Sequence, residues 1–123
     1  MCLVTDAACD KACLEAIAKT AERLGYGHDD LAHVVIDTQA CCLSQDSLFE
    51  LIEGLDPVCV CVVGQEAVSL FCQAYRLQVQ SCVQTTALGR PVCLLADMAT
   101  LLTSEDGRQK AWALLKMLPN FPA

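Results

Sequence analysis

Two hydrophobic periodicities alternate along the chain. Continuous apolar runs, typical of strands that are buried on both faces, occur at residues 58–63 and 92–95, and further predominantly apolar runs occur at residues 1–5 and Ala32–Ile36. Between them, apolar residues recur three or four positions apart, which predicts helices at residues 13–24, 44–53, 65–75 and from residue 105 onwards. An alternating segment at residues 77–83 predicts an exposed or edge strand.

Strands that alternate with helices predict a mostly parallel sheet with helices on both faces. We therefore predict an α/β fold, a three-layer α/β/α arrangement around a central, mostly parallel, four-stranded sheet, in one domain that spans residues 1–123. Ser44 or Asp46 is expected to cap the second helix and Gly54 to end it, and Ser104 to cap the last helix.

Composition narrows the classes of partner. The chain has 123 residues, of which 54% are hydrophobic, and a formal net charge of -7. An acidic surface repels phosphate, so we expect nucleic-acid binding to be weak or indirect. No apolar run approaches the ~20 residues of a membrane span, and no basic segment followed by an apolar one indicates a signal peptide. These features predict a cytoplasmic protein without membrane association.

Ten cysteines are present, and several lie inside apolar runs, where a reduced thiol behaves as a small apolar side chain. We expect mostly reduced core thiols rather than a disulfide network. Cys9, Cys13, Cys41 and Cys42 are the candidate metal ligands, because four thiolates suit zinc or a 4Fe-4S cluster. Neither pair has the C-x-x-C spacing, so two thiol pairs without metal, and a chain without cofactor, are the favoured interpretation.

Three carboxylates, Asp6, Asp37 and Asp97, each follow an apolar run. The carboxyl ends of parallel strands share one edge of a sheet, where the three could converge to bind a metal or to act as general acid and base. Solvated caps and turn residues are the favoured alternative. Gly64 stands at a strand-to-helix turn, where a backbone could approach a ligand, although tight-turn geometry alone explains a glycine there.

The chain resembles the uracil-DNA glycosylase superfamily, and the iron–sulfur bacterial and archaeal type most of all. The resemblance covers nearly the whole chain and is most specific in its second half. The residues that carry it are Cys42, Leu48, Ile52, Pro57, the run 58–63, Gly64 and Ala67, then the strand 91–95, Leu101, Leu102 and the single Trp112. It implies a glycosylase-like fold.

The departures from the family fall on its catalytic positions. The family's Gly-Glu-x-Pro-Gly loop corresponds to residues 5–9, where Asp6 alone keeps a carboxylate. Asp37 replaces the Asn that reads the uracil edge, and Asp97 replaces the His that stabilises the leaving base. A carboxylate at that place repels the uracil anion that must form. The resemblance therefore implies degenerate catalytic positions and favours a protein that is not an enzyme.

From these features we predict a non-catalytic protein-interaction module, with a role in DNA replication or repair by analogy with the psi subunit of the bacterial clamp loader, which resembles this fold. The expected partner is a protein, and its expected contact surface consists of Arg108, Lys110, Trp112 and Lys116. Two alternatives stay open. One is a divergent uracil-DNA glycosylase or hydrolase that uses the strand-end carboxylates, and the other is a metal- or iron–sulfur-binding protein.

Overall fold

The computed structural model describes residues 1–7, 11–27, 31–36, 44–78 and 83–119. Strands and helices alternate through the first six described elements, as the periodicity predicts, and two strands and then two helices follow. Within them, no helix combines the length and the apolar character needed to cross a membrane. The elements are β1 (Cys2–Asp6), α1 (Lys11–Arg23), β2 (Ala32–Ile36), α2 (Gln45–Leu55), β3 (Val60–Val63), α3 (Gln65–Ala74), β4 (Val83–Ala87), β5 (Arg90–Leu95), α4 (Met98–Leu101) and α5 (Glu105–Leu115).

The described strands form one sheet in the order β2-β1-β3-β5-β4. Neighbouring strands are parallel except β4, which runs antiparallel to β5 at the edge. The predicted α/β class and mostly parallel sheet are thus confirmed, but the predicted count of four strands is wrong, since the sheet has five. The added strand is half-exposed and rich in Gln and Thr. It reaches β5 through Leu88 and Gly89, both at positive φ, without the Asn-Gly signal of a tight hairpin.

Helices pack on both faces of the sheet because the chain changes direction after β2. The β1-α1-β2 crossover moves one way along the sheet and the next two crossovers move the other way, so right-handed connections put α1 opposite α2 and α3. Buried side chains alternate accordingly. Leu3, Cys61 and Leu95 pack with Ile17 of α1 and Leu115 of α5. Val4, Val62 and Leu94 pack with Ile52 of α2 and Phe71 of α3. This arrangement is compatible with the predicted three layers.

Serine side chains begin two of the helices. Ser44 Oγ accepts the Ser47 N–H at 3.1 Å and Ser104 Oγ accepts the Gly107 N–H at 3.0 Å, which confirms both serine caps. The prediction that Gly54 ends α2 is wrong, because the helix continues to Leu55 and Asp56 takes the left-handed conformation at φ 47°. A tertiary contact favours this ending, since the Asp56 carboxylate is held by an arginine of β5.

That arginine, Arg90, ties three elements together at the amino edge of the sheet. Its Nε donates to Pro57 O at 2.7 Å, and its two terminal nitrogens donate to the carboxylates of Glu53 and Asp56. Tyr75 Oη donates to the same Glu53 oxygen at 2.9 Å. Burial alone would raise the pKa of Glu53, but the hydrogen bonds from Arg90 and Tyr75 and the arginine charge lower it overall. The network joins α2 and the residue after α3 to the start of β5, at the end of the sheet opposite the carboxyl edge.

Candidate functional site

A cavity of about 420 Å³ opens at the carboxyl edge of the sheet. It lies beside β1, where the strand order reverses: β2 lies on one side of β1 and β3 on the other. Open α/β sheets usually bind ligands at such a point. The ends of three strands and the first turns of three helices form its wall. Its lining residues are Asp6, Cys13, Val63, Gly64, Gln65, Glu66, Ala96, Asp97, Met98, Ala99 and Thr100.

Asp6, the last residue of β1, binds the amino terminus of α3. Its Oδ1 accepts the Ala67 N–H at 2.6 Å and its Oδ2 accepts the Glu66 N–H at 3.4 Å. The residue that precedes the helix, Gly64, has no side chain to cap these amides, so Asp6 supplies the cap from 61 residues away. The positive end of the helix dipole stabilises the carboxylate there. Asp6 therefore occupies the place where this fold type offers backbone amides to an anion.

Gly64 is required by the position of Asp6. Its φ is 109°, a conformation that other residues rarely adopt, and a Cβ on it would lie 2.3 Å from Asp6 Oδ2. The close approach to this backbone is therefore made by the chain's own carboxylate. Sequence reasoning anticipated a tight turn or a ligand contact at Gly64, and it missed this intramolecular contact because Asp6 is remote in sequence.

Asp97 reaches the same cavity from the turn that follows β5. Its Oδ1 accepts a hydrogen bond from Gln65 Nε2 at 3.2 Å, which connects it to the first residue of α3. The structure thus brings Asp6 and Asp97 together at one edge, as predicted for strand-end carboxylates. The third of them, Asp37, lies outside the described residues, so its convergence stays a prediction.

The cavity has an acidic wall. Asp6, Glu66 and Asp97 line it, and none of its lining residues in the described parts of the chain is Lys or Arg. Gln65 and Thr100 add polar groups that can donate hydrogen bonds. An incoming phosphate or anionic leaving group would meet these carboxylates and would have to displace Asp6 from the helix amides. The wall therefore suits a neutral or cationic group better than an anion.

Cys13 is the only one of the four candidate metal ligands that the structure describes. It is buried in the first turns of α1 and lines the cavity, whereas Cys9, Cys41 and Cys42 lie outside the described residues. Within the ranges that the structure covers, no group of three metal-ligating side chains comes together. The metal and iron–sulfur hypothesis thus stays a prediction that the described residues neither complete nor exclude.

The cysteines that the structure describes are reduced and buried, as predicted for core thiols. They are Cys2, Cys13, Cys59, Cys61, Cys72 and Cys93. Burial raises the pKa of Cys2 to about 11, and a hydrogen bond with Cys93 together with burial raises the pKa of Cys61. Because the thiolate is the nucleophile and the metal ligand, these shifts favour a structural role for both residues.

His33, the one histidine that the structure describes, does not line the cavity. His33 lies on β2, where its Nε2 is 2.7 Å from Thr5 Oγ1, and it is absent from the cavity wall. Burial lowers the pKa of His33, so its neutral form is favoured near pH 7. His28 lies outside the described residues.

The predicted partner surface lies on α5, on the sheet face shared with α1. Arg108, Lys110 and Lys116 are exposed, and Trp112 is half-buried. The guanidinium carbon of Arg23, the last residue of α1, lies 5.5 Å from the centre of the Trp112 ring. Sequence reasoning missed Arg23, because only the packing of the two helices brings it beside Trp112.

Comparisons of the chain with protein-family models, with curated proteins and with solved structures found no match. The structural class of the protein is therefore described from its own fold and cavity. The chain is an α/β protein with an acidic cavity at the carboxyl edge of a mostly parallel sheet, in which a strand-end carboxylate caps the helix that begins there.

Proposed function

We propose that the chain is a non-catalytic protein-interaction module on a glycosylase-like α/β frame. The observation that carries the proposal is the hydrogen bonding of the Asp6 carboxylate. This carboxylate is hydrogen-bonded to the first turn of α3 through both oxygens, where it stabilises the fold instead of facing a reacting group. Asp97, at the position that the resemblance assigns to the catalytic His, adds a second negative charge to the same wall. Base excision needs donors there, which stabilise the departing anion.

The relationship to uracil-DNA glycosylases belongs to this proposal and rests on the sequence frame. The parallel strands β2, β1, β3 and β5 supply the alternating architecture that the resemblance implies, and β4 is an addition at the edge. A role in replication or repair rests on analogy alone, and a cytoplasmic location rests on the hydrophobic pattern of the sequence alone.

An excision assay tests the non-catalytic part. Purified protein is incubated with uracil-containing single-stranded DNA, and released base is measured against an active glycosylase. We expect no release above the level of a no-protein control. Reproducible release that disappears in the Asp97→Ala variant would overturn the proposal, because contamination does not depend on a residue of this chain.

Affinity capture tests the interaction part. Tagged wild-type protein and an Arg108→Glu, Lys116→Glu double variant are used as baits under identical conditions. We expect at least one stoichiometric partner that the wild type retains and the double variant loses, because charge reversal on α5 opposes any contact that uses these cations. Identical, substoichiometric captures by both baits would contradict an interaction role for this surface.

A second candidate function, a carboxylate-dependent enzyme, is favoured by one observation. Asp6 and Asp97 line the same cavity, as an acid–base or metal-binding pair requires. Titration of the protein with Mg²⁺ or Mn²⁺, followed by NMR signals of Gln65 and Thr100, tests it. Saturable shifts that the Asp97→Asn variant lacks would favour this candidate. The metal and iron–sulfur alternative is tested by visible absorbance and metal analysis of anaerobically purified protein.

A further inference from the structure

Two helices place basic side chains around the single tryptophan. Lys19 and Arg23 stand four residues apart on α1. Arg108 stands one turn before Trp112 on α5, and Lys116, the C-cap of α5, stands one turn after it. Residues at this spacing share one side of a helix. The contact of Arg23 with the Trp112 ring shows that these two sides adjoin, since the guanidinium carbon lies 5.5 Å from the ring centre. We call these five residues the basic face.

Helical geometry excludes Lys110 from the basic face. It lies two residues from both Arg108 and Trp112, and two residues correspond to about 200° around a helix. Lys110 therefore stands on another side of α5, although it belongs to the same charge cluster in the sequence. The basic face therefore excludes one cation of that sequence cluster, Lys110, and includes two cations of α1, Lys19 and Arg23.

Two carboxylates share the helix sides that form the basic face, since Glu15 stands four residues before Lys19 and Glu105 three residues before Arg108. The four cations still outnumber them, and none of the four is ion-paired within the described parts of the chain. Lys11 pairs with Glu15, and Arg90 pairs with two carboxylates, but no described carboxylate forms an ion pair with Lys19, Arg23, Arg108 or Lys116. The chain carries eight Lys and Arg residues and a formal net charge of -7, so half of its cations lie on this face of an acidic molecule. All four are exposed, and Trp112 between them is half-buried.

We propose that the basic face binds an acidic segment of a protein partner, whose carboxylates contact the four cations and whose apolar side chain packs on Trp112. The inference rests on the proposed interaction function and specifies its partner. Single exposed ion pairs contribute little, but several around a Trp and two Arg residues have the composition of an interface hot spot. A short acidic peptide fits better than a nucleic acid, because the net charge repels a long polyanion more strongly than a few carboxylates.

Trp112 reports binding directly, because it is the only tryptophan in the chain. Its fluorescence is followed at low ionic strength while octaglutamate carrying one internal Leu is added, with an octalysine peptide of the same design as the charge control. We expect a saturable change with the acidic peptide that added salt weakens. The Arg108→Glu, Lys116→Glu double variant should bind about tenfold more weakly or worse. Arg76→Glu, a single charge reversal on an exposed residue after α3, is compared with the Arg108→Glu and Lys116→Glu single variants and should change binding about twofold at most.

Circular dichroism and thermal unfolding confirm that each variant is folded, and the single variants replace the double one if it is not. The proposal is overturned if the acidic peptide gives no saturable change, or if Arg76→Glu weakens binding as much as the double variant. Tighter binding of an oligothymidylate with the same number of charges overturns the partner class in favour of nucleic acid. Uracil release in the excision assay overturns the proposed function separately, since it does not depend on the fluorescence titration.

Discussion

Replacement of Asp6 by Ala tests whether this carboxylate serves the fold or a reaction. The change removes both hydrogen bonds to the first turn of α3, at 2.6 Å to Ala67 N and 3.4 Å to Glu66 N. Ala67 is fully buried, so water replaces the lost acceptor poorly. Loss of a helix cap costs about 0.5–2 kcal/mol, and loss of a negative charge at a helix amino terminus costs about 0.3–1 kcal/mol.

We therefore expect the free energy of unfolding to fall by about 2 kcal/mol. For a chain of this size, the melting temperature should fall by about 8 °C. Urea unfolding, followed by Trp112 fluorescence and by far-ultraviolet circular dichroism, measures the change. Asp6→Asn keeps an acceptor oxygen and loses the charge, so it should lose about half as much.

Asp97→Asn is the matched control, because it removes a charge from the same cavity wall without touching the amides of α3 that Asp6 binds. We expect its stability to stay within about 0.5 kcal/mol of the wild type. An unchanged or raised stability of Asp6→Ala would refute the cap interpretation. A carboxylate that is retained for chemistry commonly lowers stability, so that result would favour the enzymatic candidate.

Two further changes test the contacts at the opposite edges of the sheet. Gly64→Ala should destabilise the fold by about 2–3 kcal/mol, because it adds strain at φ 109° and a Cβ against the Asp6 carboxylate. In a double-mutant cycle, Asp6→Ala should recover part of this loss, and full additivity of the two changes would contradict the contact. The lowered pKa of Glu53 means that its contribution to stability is present above its unfolded pKa of about 4.5 and is lost as the pH falls through its lower folded pKa. Glu53→Gln should therefore show a flatter decline of stability below about pH 4.5 than the wild type in acid-dependent urea unfolding, and parallel curves would contradict the role of Arg90.

Hydrophobic pattern alone determined the type and order of most elements. Strand β2 has the predicted bounds, and helices α1, α2 and α3 lie within two residues of theirs, because their apolar residues recur at a period that depends only on local geometry. The serine caps were also predictable, since a cap is a contact between residues about three positions apart. The convergence of Asp6 and Asp97 followed from the shared direction of parallel strands.

Tertiary structure alone decided what those residues do. The hydrogen bonds of Asp6 span 61 residues, and Arg23 stands over Trp112 from another helix. The alternating pattern predicted an edge strand at residues 77–83, but the structure places the edge strand β4 at Val83–Ala87, because its position depends on pairing with β5. Periodicity reports which side of an element is buried, whereas a cap from another strand or a shared basic face depends on how the elements pack. The sequence therefore placed carboxylates at the carboxyl edge, and packing turned one of them into a helix cap.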